Sequence, residues 1–194
     1  MKYDMVEFDK EWLILAKHEF KILTMITVLA ENKLAYRGTL TDMCRFMDIT
    51  AQKNNTDKIK KAIKYLQDNK YLHSILDVNV YTLTLTKEAE RWKDVISIKR
   101  EWVYIAKDID SETDWINVLK IWLYSIDNDT QLTKIDIIAE QLNITPSIVK
   151  RAMKALKNIG AIKTKKETVK IDENIYRCKG QIIVTSAYVN IQDY

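Results

Sequence analysis

The segment LNITPSIVKRAMKALKNIGAI (residues 142–162) decides how the rest of the chain is read. Val149, Ala152, Met153, Leu156 and Ile159 recur at helical spacing and form one apolar stripe, while Ser147, Lys150, Arg151, Lys154 and Lys157 point away from it. Thr145 stands where a helix cap is wanted, and Pro146 follows at the first helical position, where a missing N–H costs nothing. Gly160 is placed to end the helix in the left-handed region.

The same pattern occurs earlier. IKKAIKYLQDNKYL (59–72) aligns with VKRAMKALKNIGAI (149–162) at an offset of 90, with Lys60, Ala62, Lys64 and Leu66 recurring as Lys150, Ala152, Lys154 and Leu156. LTDMCRFMDIT (40–50) aligns with IDIIAEQLNIT (135–145) at an offset of 95, so the first copy carries five extra residues around 51–55. The chain is therefore read as an internal duplication.

Each copy is predicted to contain three helices and two strands. In the first copy the helices are 12–31, 40–48 (capped by Thr39) and 57–69 (capped by Asn55 or Thr56), with an extended piece at 35–37 and strands at 71–76 and 80–86. In the second copy the helices are 114–125, one capped by Thr133 and ending near Asn143, and one capped by Thr145. Strands near 161–170 and 181–189 follow, joined by the loop DENIYRCKG (172–180). Between the copies, 86–107 is predicted to be helical, and the acidic DIDSETD (108–114) is read as a linker. The expected class is mainly α with small β-wings (α+β). Its domains are 1–86 and 111–194, joined by a connecting helix and acidic linker at 87–110.

Composition excludes several classes. The 194 residues are 47% hydrophobic and 30% charged, which is enough apolar content for real cores. Gly38, Gly160 and Gly180 are the only glycines, and they build neither GxGxxG nor GxxxxGK[ST]. Cys44 and Cys178, with His18 and His73, are too few and too scattered for a disulfide framework or a four-ligand zinc site. Neither GxSxG nor HExxH occurs, so no catalytic residue, metal or cofactor is assigned and an enzyme is not expected. Asp108, Asp110, Glu112 and Asp114 form an acidic cluster best read as solvated linker. The opening MKYDMVEFDKEW has no apolar core of a signal peptide, and no apolar run reaches membrane-spanning length, so a cytoplasmic protein without membrane contact is expected.

Charge is concentrated. Residues 145–170 carry eight cations against Glu167 alone, a net of +7, and residues 53–70 carry six lysines against two aspartates, a net of +4. The whole chain is only +4. A lysine-rich helix face is most often only a solvated face. Its recurrence on the third helix of both copies points instead to a polyanionic partner. The five tryptophans, Trp12, Trp92, Trp102, Trp115 and Trp122, sit at helical spacings suited to packing. Cys44 falls on Ala139 of the other copy, a core position.

A helix, a helix–turn–helix and a two-stranded ribbon, repeated twice, resemble a tandem winged helix-turn-helix protein. The resemblance rests on residues 142–162 and on YTLTLTKEAERW (81–92), which looks like a last wing strand running into a helix, with Ala89 where the family usually has Gly. The opening EWLILAKHEFKILTMITVLAEN (11–32) is similar to the first helix of winged-helix replication proteins of plasmids and phages. The resemblance implies binding of double-stranded DNA. Thr145, Ser147, Lys150, Arg151, Lys154 and Lys157 would lie on the reading helix, and Arg151 is the best candidate for a bidentate guanine contact. Lys163, Lys165, Lys166 and Lys170 would lie on the wing, joined by Arg177 and Lys179. Thr56, Lys58, Lys60, Lys61 and Lys64 would take the first copy's corresponding roles. A homodimer and replication proteins are further partners that the resemblance allows. Replication initiation or control, transcription regulation, and a non-enzymatic protein-interaction scaffold remain alternatives at this point.

Overall fold

The computed structural model describes residues 4–30, 35–86, 94–128, 134–172 and 175–184, with side chains described up to residue 164. The fold is mixed α+β, and the chain divides into two units, Met1–Arg100 and Glu101–Tyr194.

The first unit begins with strand β1 (Met5–Asp9), followed by one 3-10 turn (Lys10–Ile14) that Asp9 caps by accepting from the Glu11 N–H at 2.9 Å. This turn overturns the helix expected from residue 12. Leu15 and Ala16 are extended, and helix α1 runs from Lys17 to Leu29. Every residue from Phe20 to Val28 is buried, so α1 is the central helix of the unit. Lys21 is among them, and its Nζ donates to the Met47 carbonyl at 3.1 Å.

Strand β2 (Ala35–Thr39) leads into α2 (Leu40–Phe46). Thr39 caps α2 as predicted. Its hydroxyl accepts from the Asp42 N–H while the Asp42 carboxylate accepts from the Thr39 N–H, a reciprocal capping box. The Thr39 hydroxyl also donates to the Asp42 carboxylate at 2.7 Å, and this bond, then the one from the Thr39 N–H, holds that carboxyl below its usual pKa. Helix α3 spans Lys53–Asp68, starting four residues before the predicted 57. Part of the extra sequence of the first copy therefore extends the helix, and neither Asn55 nor Thr56 is its cap: Gln52 occupies that position, and Thr56 donates inside the helix to the Lys53 carbonyl.

Strands β3 (Leu72–Asp77) and β4 (Val80–Leu85) form a hairpin, and β2 pairs with the far side of β4, giving the antiparallel order β2-β4-β3. Alternation along β4 buries Tyr81, Leu83 and Leu85 beside Tyr36 and Leu72. Ile59, Ala62, Ile63 and Leu66 of α3 complete the core. Each large side chain so buried contributes about 1.5–3 kcal/mol.

The predicted helix over 86–107 holds from residue 100, is corrected over 95–99, and over 87–93 lies outside the described residues. Residues Val95–Lys99 form strand β5, paired antiparallel with β1 from Met5↔Lys99 to Asp9↔Val95. Its burial alternates, with Ile96 and Ile98 inward, at the strand period of two rather than the helical 3.6. Helix α4 (Arg100–Asp108) follows directly. The Arg100 N–H donates to the Asp4 carbonyl at 2.8 Å, and its guanidinium holds the Asp4 carboxylate and the Val28 carbonyl. The division between the units thus falls at residue 100, inside the expected connector.

The second unit contains α4, α5 (Trp115–Asp127), α6 (Ile135–Gln141), α7 (Pro146–Asn158) and a long hairpin of β6 (Ile162–Asp172) and β7 (Ile175–Val184). Asp114 caps α5, and Trp115 to Ser125 are all buried. Trp102 of α4 stacks on Trp122 of α5 with ring centroids 5.0 Å apart, and the Lys107 ammonium lies 5.3 Å from the centroid of Trp115. Lys134 takes the cap position of α6, and Thr133 lies outside the described residues, as does Trp92. Most of the expected loop 172–180 is strand: Glu167↔Lys179 to Lys170↔Tyr176 continue the ladder.

The duplication recurs in backbone detail. Asp48 and Asn143, 95 apart, both take positive φ, at 55° and 51°. Lys70 and Gly160, 90 apart, do so at 60° and 74°. The Tyr71 N–H donates to Leu66, as Ala161 does to Leu156. Cys44 is buried like its counterpart Ala139, and burial pushes its thiol pKa up, as an inert core thiol requires.

Candidate nucleic-acid interface

Helix α7 buries Val149, Ala152, Met153, Ala155 and Leu156. At 100° per residue the remaining arc carries Ser147, Lys150, Lys154 and Lys157, all exposed. Lys150, Lys154 and Lys157 also rim an open hollow floored by Ile135 and Met153. Thr145 is at the N-cap, but its hydroxyl makes no cap bond and lies 3.0 Å from the Ser147 hydroxyl. The pair of hydroxyls stands at the exposed start of the helix, where unpaired N–H groups favour anions.

Arg151 sits at the edge of this arc. Its Nη1 donates to the Glu112 carbonyl at 3.0 Å and its Nε to the Ser147 carbonyl at 3.4 Å. Lys154 pairs with the Glu112 carboxylate at 3.2 Å. The acidic segment 108–114 is therefore not a free linker: Asp108 ends α4, Glu112 lies against α7, and Asp114 caps α5. Sequence reasoning missed this contact, because nothing in the spacing joins residue 112 to residue 151. Among the described residues no group of three or more His, Cys, Asp or Glu is placed to hold a metal ion.

On α3, Lys60 and Lys64 occupy the positions of Lys150 and Lys154, and both are exposed. Lys64 forms an ion pair with Asp68 at 2.9 Å. Lys61 corresponds to Arg151. Lys58 lies about 160° around the helix from Lys60. It faces the side of His18, whose pKa is lowered by burial, then by Lys17, with Lys21 and Lys58 adding to this against Glu19. The structure thus does not bring Lys58 onto the face shared by Lys60 and Lys64, whereas Thr56, four residues before Lys60, lies beside that face at its half-buried edge.

In the β6–β7 ribbon, paired residues share a face. The register places Lys163, Lys165, Arg177 and Lys179 on one face, and Lys166 and Lys170 on the other. The hairpin of the first unit is different in kind: from Tyr71 to Thr86 it has no Lys or Arg. Compared with known protein families and with curated proteins, the chain matches no family profile and no curated sequence.

Proposed function

We propose that this chain is a non-enzymatic, sequence-specific binder of double-stranded DNA built from two winged-helix units. Helix α7 and the basic face of the β6–β7 ribbon make the principal contact, and α3 makes a second one. The observation that carries the reading is the recurrence, at offsets of 95 and 90, of one helix–turn–helix whose exposed arc is cationic both times. Helix α7 is about 20 Å long and of a width that the major groove admits. Lys150, Lys154, Lys157 and Lys163 neutralise phosphates. Thr145 and Ser147 bond phosphate or base edges at the helix start. Arg151 reads a base only on leaving the Glu112 carbonyl. Two units on one chain add their energies through effective concentration.

The biological setting that fits the resemblance is initiation or control of plasmid or phage replication, with transcription regulation resting on the same physics. Fluorescence anisotropy with a random duplex at two salt concentrations tests the reading. Binding that weakens steeply with salt is the expected result. No binding at low salt overturns it in favour of a protein-interaction scaffold.

A further inference from the structure

The outer edge of β3 has the features of a self-association surface. The Thr86 N–H donates to the Tyr71 carbonyl at 3.0 Å, and the β3–β4 register runs in step from Leu72↔Leu85 to Asp77↔Val80. Alternation then turns the backbone groups of His73, Ile75 and Asp77 toward β4, and those of Leu72, Ser74 and Leu76 toward the open edge. Among the described residues, strand β3 is the end of its sheet. Such edges are usually blunted by lysine, proline or a bulge. This one carries no cation, and Ile75 and Leu76 are 67% and 56% exposed.

We propose that a second copy of this chain pairs its own β3 here, antiparallel, across a two-fold axis at Ile75. The sequence of the strand selects both the partner and the register. Centred on Ile75, the pairing sets Ser74 opposite the partner's Leu76 in a hydrogen-bonded pair, and reciprocally. Ile75 meets the partner's Ile75 in the closer, non-hydrogen-bonded spacing. His73 lies opposite the partner's Asp77, an imidazole N–H donor against a carboxylate, and this match occurs twice. Shifting the centre to Ser74 would set His73 against isoleucine and Asp77 against tyrosine, losing both matches. The His-x-Ile-x-Asp face is thus complementary to its own reverse, which a foreign strand has no need to be. A six-residue edge is smaller than a standard interface, as suits a weak, concentration-dependent dimer.

This surface is independent of the DNA contact, and its test contains no DNA. Sedimentation velocity of the full chain over about 1–100 µM should show a monomer–dimer equilibrium. Ile75→Lys sets like charges across the axis and should raise the dimer Kd at least tenfold with an unchanged circular dichroism spectrum. In a Cys178→Ser background, Ile75→Cys treated with oxidised glutathione should give a covalent dimer. Ser74→Cys, which faces leucine, should give none. A wild-type chain that stays monomeric, an Ile75→Lys variant that dimerises as the wild type does, or equal cross-linking by both cysteine variants overturns the proposal.

Discussion

Glu112 and Lys154 are 42 residues apart in sequence, yet the Lys154 ammonium lies 3.2 Å from the Glu112 carboxylate on the exposed face of α7. Both side chains are about two-thirds exposed, so the pair adds at most about 1 kcal/mol to stability. On the proposed reading its larger effect is on the helix surface, where the Glu112 carboxylate competes with a phosphate for the Lys154 ammonium. Glu112→Gln is expected to strengthen binding to a random duplex several-fold at low salt. It should also steepen the slope of log K against log salt by about 0.9, the release of one further counterion. Anisotropy titrations across a salt series measure both. Unchanged affinity and slope would remove Lys154 from the interface.

The outward arc of α7 makes a second prediction. Lys150→Ala with Lys157→Ala should flatten the same slope by about 1.8 and weaken all duplex sequences alike. The corresponding Lys60→Ala with Lys64→Ala should do so by less, because Lys64 is already shared with Asp68. Arg151→Ala is expected to change base preference. If its losses are uniform across sequences, Arg151 is no reader.

Tyr36 and Gly38 occupy one face of β2, and a Cβ on Gly38 would fall on the Tyr36 ring. Gly38→Ala must therefore displace a buried aromatic, and a loss of about 1–3 kcal/mol is expected in urea unfolding. Tyr36 also gives a pH signature. Burial, and then the Asp42 carboxylate, push its pKa from 10.0 up to about 12. A pKa raised on folding means that the contribution is complete below pH 10 and is lost between pH 10 and about 12. Tyr36→Phe should remove that part of the alkaline loss. Identical curves for the variant and wild type between pH 9 and 12 would refute it.

Lys70 and Gly160 end equivalent helices with φ of 60° and 74°. Only glycine takes this conformation without strain. Lys70→Gly should stabilise the first unit by about 0.5–1 kcal/mol, while Gly160→Ala should cost the second about 1 kcal/mol although its Cβ would meet nothing within 4 Å. Thermal unfolding of the two variants checks the pair, and opposite signs are required.

Much of the helical framework was legible because its signals are local. Thr39, Pro146 and Gly160 stand where the expected punctuation put them, and the repeat fixed the paired turns at 48/143 and 70/160. Strands β1 and β5 were not legible, because each is five residues long and neither shows its partner, 90 residues away, in its own pattern. The tip of the ribbon is not legible for a related reason: IYRCKG mixes apolar and cationic residues, and a two-stranded ribbon whose faces both carry cations does not alternate cleanly in hydropathy. The basic residues of α7 were found from charge and period alone. The Glu112 contact was not, since it depends on how residues 109–114 turn between α4 and α5.

The pairing of β1 with β5 bears on the order in which the chain acquires its structure. Met5 waits for Lys99, so the ribbon they form cannot close until nearly the whole first unit has left the ribosome. Helices α1 to α3 and their hairpin can assemble earlier from nearby segments. The clasp is thus a long-range closure, and the chain passes from it straight into α4, where the second unit begins.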